Sequence, residues 1–282
     1  MRTTTKIAAA MATAALALAG CASNDGNGGG DNASGDGDKG KITIGIKFDQ
    51  PGLGLKEGAN YTGFDVDVAK YVAKELGYNE DQIEWKESVS AQRENMIANG
   101  QVDMIVATYS ITDNRKEKVA FAGPYFVAGQ GLLVQESNSD ISGPDSLDGK
   151  KLCSVAGSTP AERIKEEYSQ GVQLQEAQGY SECVELLGSG TIDAVTTDDI
   201  ILAGFAAQDQ YQGKLKLAGT PFSEENYGVG VKKDSDMCEK VNEALTKMID
   251  DGSWEKFLKE NMGENYKPNE STNPPKPGGN CS

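Results

Sequence analysis

The alternation of strand and helix patterns restricts the fold of this 282-residue chain more than any other feature of its sequence. Apolar residues alternate with small or polar ones over 42–46, as in a strand that buries one face, and apolar residues of 64–72 then recur at helical spacing. Residues 93–99 and 102–107 repeat the pattern as a helix and a strand separated by Gly100. Such alternation predicts an α/β fold with mostly parallel strands, whose ligands bind at the carboxyl ends of the strands.

A weak internal repeat indicates that the chain has two similar parts. Residues 99–108 line up with residues 189–198, and each segment runs from a helix end through a glycine and a strand to a polar residue. If two lobes share this unit, Thr108 and Asp198 stand at equivalent strand ends on opposite sides of a cleft. The alternative is a chance similarity between two ordinary α/β units. The span of residues 41–268 is long enough for one large domain or two ordinary ones.

Composition excludes several classes of function. The chain has 27 basic and 43 acidic residues, and without residues 1–20 its net charge is about −18, so we expect no nucleic acid partner. The chain contains no histidine, which removes the commonest general base and metal ligand of proteins. Catalysis by a Ser-His-Asp or Cys-His arrangement is therefore excluded, and we predict no cofactor and no metal.

The N-terminus has the pattern of an export signal. Arg2 and Lys6 precede an apolar run over 7–19, which is too short to span a membrane as a stable helix and ends in Leu-Ala-Gly-Cys. This box resembles the signals of bacterial lipoproteins, in which the chain is cut before the cysteine and lipid, here expected to include palmitate, is attached to it. The resemblance implies a signal peptide over 1–20 and lipid on Cys21. Secretion without an anchor is the alternative.

The segment after this signal has the composition of a tether. Residues 22–40 are nearly all Gly, Asn, Asp and Ser, and such a segment cannot bury enough apolar surface to fold. We therefore predict a disordered tether over 21–40 that joins the lipid to the folded part. One acyl chain would hold the protein only marginally, but bacterial lipoproteins usually carry more than one. The expected location is the extracellular face of the cell membrane.

A basic residue at a helix start is the first sign of anion binding. Thr112 or Asp113 is placed to cap a helix, which puts Arg115 into the first turn, where a positive charge opposes the helix dipole. An arginine at this position is explained if its guanidinium, the Ser110 hydroxyl and nearby backbone N–H groups hold a carboxylate. The alternative is a solvated arginine on a basic helix start.

A second helix start follows the sequence Gly-Ser-Thr-Pro at 157–160. Pro160 fits the first helical position and Thr159 fits the cap, so free amide donors gather at this turn. An ordinary turn from strand to helix has the same pattern. This second site therefore does not by itself indicate binding.

Longer segments of the chain resemble the solute-binding proteins that serve ABC importers of polar amino acids. The resemblance covers residues 41–266 and is carried by the segments 63–68, 100–115, 121–125, 147–150, 193–198 and 227–230. It is closest to the glutamate-binding lipoproteins of Gram-positive bacteria, through the segments 47–54, 90–94, 107–111 and 152–160. The family implies a two-lobed α/β fold of the type II periplasmic-binding-protein kind, with two Rossmann-like lobes joined by two hinge strands.

The resemblance also implies where one lobe ends and the other begins. We expect hinge strands near 131–134 and 226–230. The corresponding parts are a first lobe of residues 41–131 plus 227–268, a second lobe of residues 132–226, and a C-terminal tail of residues 269–282.

The cysteines fit this division of the chain. Once Cys21 is assigned to lipid, four cysteines remain, an even number that suggests disulfides in an exported protein, and three pairings are possible. We favour Cys153 with Cys183 and Cys238 with Cys281, because each pair then lies within one lobe. Four unpaired thiols are the alternative.

A bound amino acid would have contacts that the resemblance assigns residue by residue. It gives the α-carboxylate to Arg115, Ser110 and the turn of Ser158 and Thr159, the α-ammonium to Asp198 with Thr108, and a side-chain carboxylate to Arg93, with Lys47 as a second cation. Many relatives have an aspartate where this chain has Lys47 and an aromatic lid near Gln50 and Ser90, so stacking contacts are not carried over. A helix-surface Arg93 and a solvated Lys47 are the alternatives.

Charge then selects among polar amino acids. Lys47, Arg93 and Arg115 against Asp198 give the cleft a charge of about +2, which suits glutamate, with two carboxylates and one ammonium, better than glutamine. The sequence does not separate glutamate from aspartate.

These observations predict an extracytoplasmic binding protein, not an enzyme, that closes around glutamate or aspartate as a monomer and docks on the permease subunits of an ABC importer. Two other functions remain open. A ligand-sensing domain that signals through a partner would share the tether and the lobes. An exported dehydratase on the same fold would need a general acid in the cleft, for which Glu94 or Asp49 would have to serve.

Overall fold

Two five-stranded sheets and a small three-stranded sheet organise the part of the chain that the computed structural model describes, residues 40–168 and 171–281. The predicted signal peptide over 1–20, the lipid site at Cys21 and nearly all of the tether over 21–40 lie outside the described residues. Within the described ranges, no helix has both the length and the apolar character needed to cross a membrane.

The described residues form thirteen strands and eight α-helices. The strands are β1 (Ile42–Ile46), β2 (Asp49–Gln50), β3 (Gly54–Glu57), β4 (Asn60–Thr62), β5 (Ile83–Glu87), β6 (Met104–Ile105), β7 (Ala120–Ala128), β8 (Gln130–Gln135), β9 (Lys151–Val155), β10 (Gln173–Ala177), β11 (Ala194–Asp198), β12 (Leu215–Ala218) and β13 (Glu225–Val231). The helices are α1 (Phe64–Glu75), α2 (Arg93–Ala98), α3 (Asp113–Lys116), α4 (Thr159–Glu167), α5 (Tyr180–Gly188), α6 (Asp199–Ala206), α7 (Met237–Asp250) and α8 (Ser253–Met262).

The two large sheets have the same topology. The first has the order β5-β1-β6-β13-β7 and the second has the order β10-β9-β11-β8-β12. In each sheet the strand of the internal repeat, β6 or β11, lies between a parallel neighbour and an antiparallel neighbour. Met104 of β6 pairs with Ile44, and Ala194 of β11 pairs with Leu152. The repeat therefore reflects two equivalent structural units and not a chance similarity.

The expectation of mostly parallel strands is confirmed for the two large sheets, with one exception in each. Four of the five strands of each sheet point the same way, and only β13 in the first sheet and β8 in the second run antiparallel to both neighbours. Parallel neighbours need a crossover connection, usually a helix. The chain enters β8 and β13 directly from the other sheet, without a crossover helix. These two strands can therefore run antiparallel to the strands beside them.

The chain changes sheets twice. It passes from β7 to β8 at Gly129, and it returns from β12 to β13 through residues 219–224. We call residues 40–128 with 225–281 the first lobe, and residues 130–218 the second lobe. The predicted hinge strands, 131–134 and 226–230, lie inside β8 and β13 just after these crossings. The predicted lobe boundaries at 131/132 and 226/227, and their action as hinges, stay a prediction.

Aromatic packing fixes the core of the first lobe. Phe64 of α1 is fully buried, and its ring meets that of Trp254 in α8 edge-on, with the ring centroids 6.0 Å apart. The indole N–H of Trp254 donates a hydrogen bond of 2.7 Å to the carbonyl oxygen of Tyr125. Strand β7 thus satisfies the buried indole N–H of Trp254. This hydrogen bond and the ring contact together pack α1 and α8 against β7.

Both predicted helix starts are present, and one cap is shifted. Thr112 caps α3, and its hydroxyl accepts a hydrogen bond of 3.3 Å from the backbone N–H of Arg115. At the second start the cap is Ser158 and not Thr159, since the Ser158 hydroxyl accepts from the backbone N–H of Ala161 over 3.2 Å. Serine and threonine are both good helix caps. Ser158 is the cap because it is the last residue with an extended backbone before the helix begins at Thr159.

Both predicted disulfides are confirmed. Cys153 is bonded to Cys183 within the second lobe, and Cys238 is bonded to Cys281 within the first. The second bond is not the only contact of the C-terminal tail. The side-chain amide of Asn273 donates to the carbonyl oxygen of Val127 over 2.8 Å and its oxygen accepts from the N–H of the same residue over 2.9 Å. The tail therefore packs along β7.

Candidate functional site

A small polar cavity lies between the two lobes. It is lined by Ser90, Arg93, Thr108, Ser110, Arg115, Ser158, Thr159, Pro160, Tyr180, Thr197, Asp198 and Ile201. Seven of the eight residues that the sequence assigned to a ligand are in this lining, and Lys47 is the exception. The two helix starts and the two ends of the repeat thus meet at one place, as the equivalence of Thr108 and Asp198 predicted.

Arg115 is held in place by main-chain oxygens from both lobes. Its guanidinium donates to the carbonyl oxygen of Ser110 over 2.8 Å and to that of Gly157 over 3.1 Å. Its Nε lies 3.4 Å from the carboxylate of Glu94. A guanidinium has five N–H groups, so each terminal nitrogen keeps one further donor. Arg115 is therefore a fixed fork with donors left for a carboxylate.

Arg93 differs from Arg115 because it has no anionic partner within the described residues. Its side chain is only 2 % exposed, and its Nε is buried without a hydrogen-bond acceptor. The guanidinium carbon lies 4.9 Å from the centre of the Tyr109 ring. Burial, and then the nearby charge of Arg115, lower the pKa of Arg93. A buried cation without a counter-charge is costly, so the site favours an anion at Arg93.

Lys47 does not belong to the cavity lining, which corrects its predicted role as a second cation for the ligand. It is 1 % exposed, and its ammonium lies 3.2 Å from the carboxylate of Asp49. Burial is the main cause that lowers the pKa of Lys47, and the charge of Asp49 opposes it. Its charge is therefore compensated by a neighbour two residues away.

The predicted cleft charge of about +2 is corrected for the same reason. That sum omitted Asp49, which pairs with Lys47, and Glu94, which lies next to Arg115. Once these two carboxylates are included, the charged groups around the cavity no longer have a net positive charge. The preference for an acidic ligand therefore depends on the position of Arg93 and not on the net charge around the cavity.

Asp198 supplies the anion on the opposite wall. It ends β11, is 2 % exposed, and one of its carboxylate oxygens accepts a hydrogen bond from the hydroxyl of Tyr227. The other oxygen, Oδ1, is buried and has no hydrogen-bond donor in the described part of the chain. Burial, and then the charge of Glu225, raise the pKa of Asp198 well above its usual range. A cationic ligand group at Oδ1 would satisfy this oxygen and favour the ionised form.

The start of α4 brings the second lobe against the Arg115 side of the cavity. The hydroxyl of Thr159 lies 3.2 Å from the hydroxyl of Ser110 in the first lobe. The Arg115 guanidinium donates to Gly157, just before this helix. Backbone N–H groups at a helix start favour negative charge. A carboxylate between Arg115, Ser110 and this helix start would therefore contact both lobes.

Thr108 has a backbone conformation that its neighbours must hold in place. Its φ of 45° is in the left-handed region, which is unfavourable for a β-branched residue. Its N–H donates to the carboxylate of Asp65 over 2.8 Å, and the hydroxyl of Tyr125 donates to the same carboxylate over 2.8 Å. Asp65 is completely buried, and burial raises its pKa to about 6. Asp65 thus positions Thr108 at the cavity.

Several residues of the site had no role in the sequence interpretation. Asp65 lies in the recognised segment 63–68, so the motif marked the position without indicating its partner. Tyr227, which holds Asp198, lies likewise in a recognised segment. Glu94 was considered only as a general acid, although its carboxylate accepts a hydrogen bond of 2.8 Å from the hydroxyl of Tyr109 and lies beside Arg115.

The fold and the site together define a class of protein. Two α/β lobes connected by two crossings, with a charged cavity whose walls belong to different lobes, are the features of a type II binding protein for a small polar ligand. This chain belongs to the bacterial extracellular solute-binding proteins, family 3, which it matches over residues 42–264. The predicted fold class and the predicted role as a solute-binding protein and not an enzyme are therefore confirmed.

Individual relatives support this assignment. The glutamate-binding protein GluB of Corynebacterium efficiens is 48 % identical over 235 residues, which are 80 % of this chain and 80 % of that protein. The ABC transporter glutamine-binding protein GlnH of Bacillus subtilis is 38 % identical over 79 % of this chain and 83 % of that protein. The structure of an ancestral arginine-binding protein bound to glutamine has 34 % identity and a TM-score of 0.74, over 80 % of this chain and 99 % of that one.

Proposed function

We propose that this protein binds glutamate between its two lobes and delivers it to the permease subunits of an ABC importer. The observation that carries the proposal is Arg93, a buried cation without a carboxylate partner in the described residues, on the wall that faces Asp198. The similarity to a relative named for glutamate binding supports the same ligand.

A glutamate molecule has three charged groups, and the cavity offers a partner for each. The α-carboxylate fits between Arg115, Ser110 and the turn of Ser158 and Thr159. The α-ammonium fits the free Oδ1 of Asp198, next to Thr108. The side-chain carboxylate then reaches Arg93. Charge-assisted hydrogen bonds of this kind are about twice as strong as neutral ones.

Glutamine differs from glutamate only in the group that would face Arg93. An amide there leaves the guanidinium without a counter-charge, and one unpaired buried charge costs about 3 kcal/mol or more. We therefore expect a preference for glutamate over glutamine of about 100-fold or more. Aspartate, one methylene shorter, would keep the second charge but would have to reach Arg93 with a shorter chain.

The proposed location follows from the N-terminal sequence and the family. The family consists of extracellular proteins, and the Leu-Ala-Gly-Cys box at 18–21 would add a lipid anchor at Cys21 followed by the tether over 21–40. The lobes, joined at residues near 131 and 227, would close on the ligand as a monomer and dock on the permease. A Cys21→Ser variant should be released into the medium, whereas the unchanged protein should fractionate with membranes.

Isothermal titration calorimetry of the purified protein tests the proposed ligand. We expect tight binding of glutamate, binding of glutamine that is weaker by about 100-fold or more, and no binding of amino acids with apolar side chains such as leucine. The same affinity for glutamate and glutamine would contradict the assignment of Arg93. No binding of either would contradict the proposed function.

A further inference from the structure

We propose that Asp49 in the first lobe closes the binding site by capping helix α5 of the second lobe. Together with Lys47 and Pro51 on its own lobe, and with Gly179, Ser181 and Gly204 on the other, it forms a contact that we call the latch. None of the latch residues is in the cavity lining. This inference depends on the proposed function, because it concerns closure around the ligand.

Helix α5 has no cap of its own. The residue at its cap position is Gly179, which has no side chain to accept a hydrogen bond. A capping side chain normally accepts from the backbone N–H two or three residues further on. That N–H belongs to Ser181, and it donates to the carboxylate of Asp49 over 3.3 Å, as the Ser181 hydroxyl does over 3.2 Å. The first lobe therefore supplies the cap, and its negative charge also suits the helix dipole.

Lys47 holds the capping carboxylate in position. Its ammonium contacts Oδ1 of Asp49, while Oδ2 of the same carboxylate faces Ser181. The lysine is fully buried, so its charge needs this partner whether or not the lobes are closed. The ion pair thus fixes one oxygen of Asp49 and leaves the other directed at α5.

Two glycines of the second lobe make room for the first lobe. A Cβ atom at Gly179 would lie 2.3 Å from the Asp49 carboxylate, and a Cβ atom at Gly204 would lie 2.2 Å from the carbonyl oxygen of Pro51. Gly179 has an extended backbone with φ −139°, and Gly204 is inside helix α6, so neither needs glycine for its own conformation. Both positions are explained by the close approach of the other lobe.

These contacts join the two lobes and can form only when the lobes are close together. They favour the closed state without distinguishing one ligand from another, because a population shift requires only a difference between the two states. The latch should therefore increase the affinity and the residence time of every ligand that the closed cavity accepts. It should leave the ratio of the affinities for glutamate and glutamine unchanged.

A Gly204→Ala variant of the full chain is the most direct test. The added methyl group prevents the approach of Pro51 but improves the intrinsic stability of α6. We expect glutamate binding about tenfold weaker or more, a faster release of glutamate in stopped-flow measurements, and a melting temperature without ligand that does not fall. Gly188→Ala in α5 is the matched control, since its methyl group meets only the side chain of Tyr211. This control should bind as the unchanged protein does.

A Ser181→Ala variant tests the hydrogen bond of the Ser181 hydroxyl to Asp49 separately from the steric contact, and it leaves the ion pair of Lys47 and Asp49 intact. It should bind glutamate about fivefold more weakly, with the same glutamate-to-glutamine ratio as the unchanged protein. Binding by Gly204→Ala and Ser181→Ala that equals that of the unchanged protein would overturn the latch. A change in the glutamate-to-glutamine ratio in either variant would also overturn it, because the latch would then act on the ligand. Failure of the unchanged protein to bind glutamate would instead overturn the proposed function.

Discussion

The two walls of the cavity carry opposite charges, and these charged groups differ in how far other protein groups pair with them. The first lobe presents Arg93 and Arg115, and the second lobe presents Asp198. Arg115 is satisfied in part by main-chain oxygens and Glu94, whereas within the described residues Arg93 has no anionic partner and Oδ1 of Asp198 has no hydrogen-bond donor. Each wall alone would therefore bury charge at a cost, and a ligand with both signs of charge removes the cost on both walls at once. The difference between the walls sets the orientation of the ligand.

Removal of Arg115, the fixed cation of the first wall, should have the largest effect on binding. An Arg115→Ala variant should bind glutamate about 1000-fold more weakly or worse, because truncating one side of a buried charge pair strands the other side. Lys116→Ala, which removes the neighbouring surface lysine, should leave the affinity unchanged. Calorimetry measures both variants, and melting curves without ligand show whether the loss of the Ser110 and Gly157 contacts has affected folding. Unchanged affinity in Arg115→Ala would mean that the arginine is only structural.

Removing the negative charge of Asp198 from the second wall should have the next largest effect on glutamate affinity. An Asp198→Asn variant should bind glutamate about 100-fold more weakly, because the ammonium of the ligand loses its counter-charge. The same variant without ligand should be more stable than the unchanged protein at neutral pH. The reason is the raised pKa of Asp198, which means that ionising this carboxyl group in the folded state costs free energy. Asp209→Asn on the surface of the same lobe is the control. Lower stability without ligand would contradict the assignment of Asp198 as an uncompensated charge.

The pH dependence of glutamate binding should show a smaller effect of the charge on Asp198. The ligand-free protein holds a proton on Asp198 at higher pH than an ordinary aspartate does, and the ammonium of glutamate favours the ionised form. Binding below the pKa of Asp198 in the ligand-free protein must therefore release a proton, and the affinity should fall by up to about tenfold for each unit of decreasing pH. Titrations in buffers of different ionisation enthalpy measure this proton. Asp198→Asn should lose the proton release, and its persistence there would assign it to another group, such as Asp65.

Much of the fold could be predicted because its signals are local. The alternating residues of β1, the helical spacing of α1 and the repeat at 99–108 and 189–198 each lie within one short segment. The direction of β8 and β13 could not be predicted in this way. It depends on the chain entering each sheet from the other lobe, and no local pattern records that step.

The residues of the candidate site likewise include some that a local pattern predicts and some that it does not. Arg115 and the turn at 157–160 were visible because helix starts have a local pattern. Lys47 was assigned to the ligand because its partner was not considered, although Asp49 is only two residues away. The contact of Asp65 with Thr108 joins residues 43 positions apart, and that of Tyr227 with Asp198 joins residues 29 apart. Such pairs are fixed by the tertiary fold and not by spacing.

The role of Arg93 is tested by titrating glutamate and glutamine into the unchanged protein and into an Arg93→Gln variant. We expect a preference for glutamate of about 100-fold or more in the unchanged protein, and the loss of nearly all of that preference in the variant, because Arg93 is the partner of the second carboxylate. A preference for glutamate that survives in Arg93→Gln would contradict the assignment of the second carboxylate to Arg93.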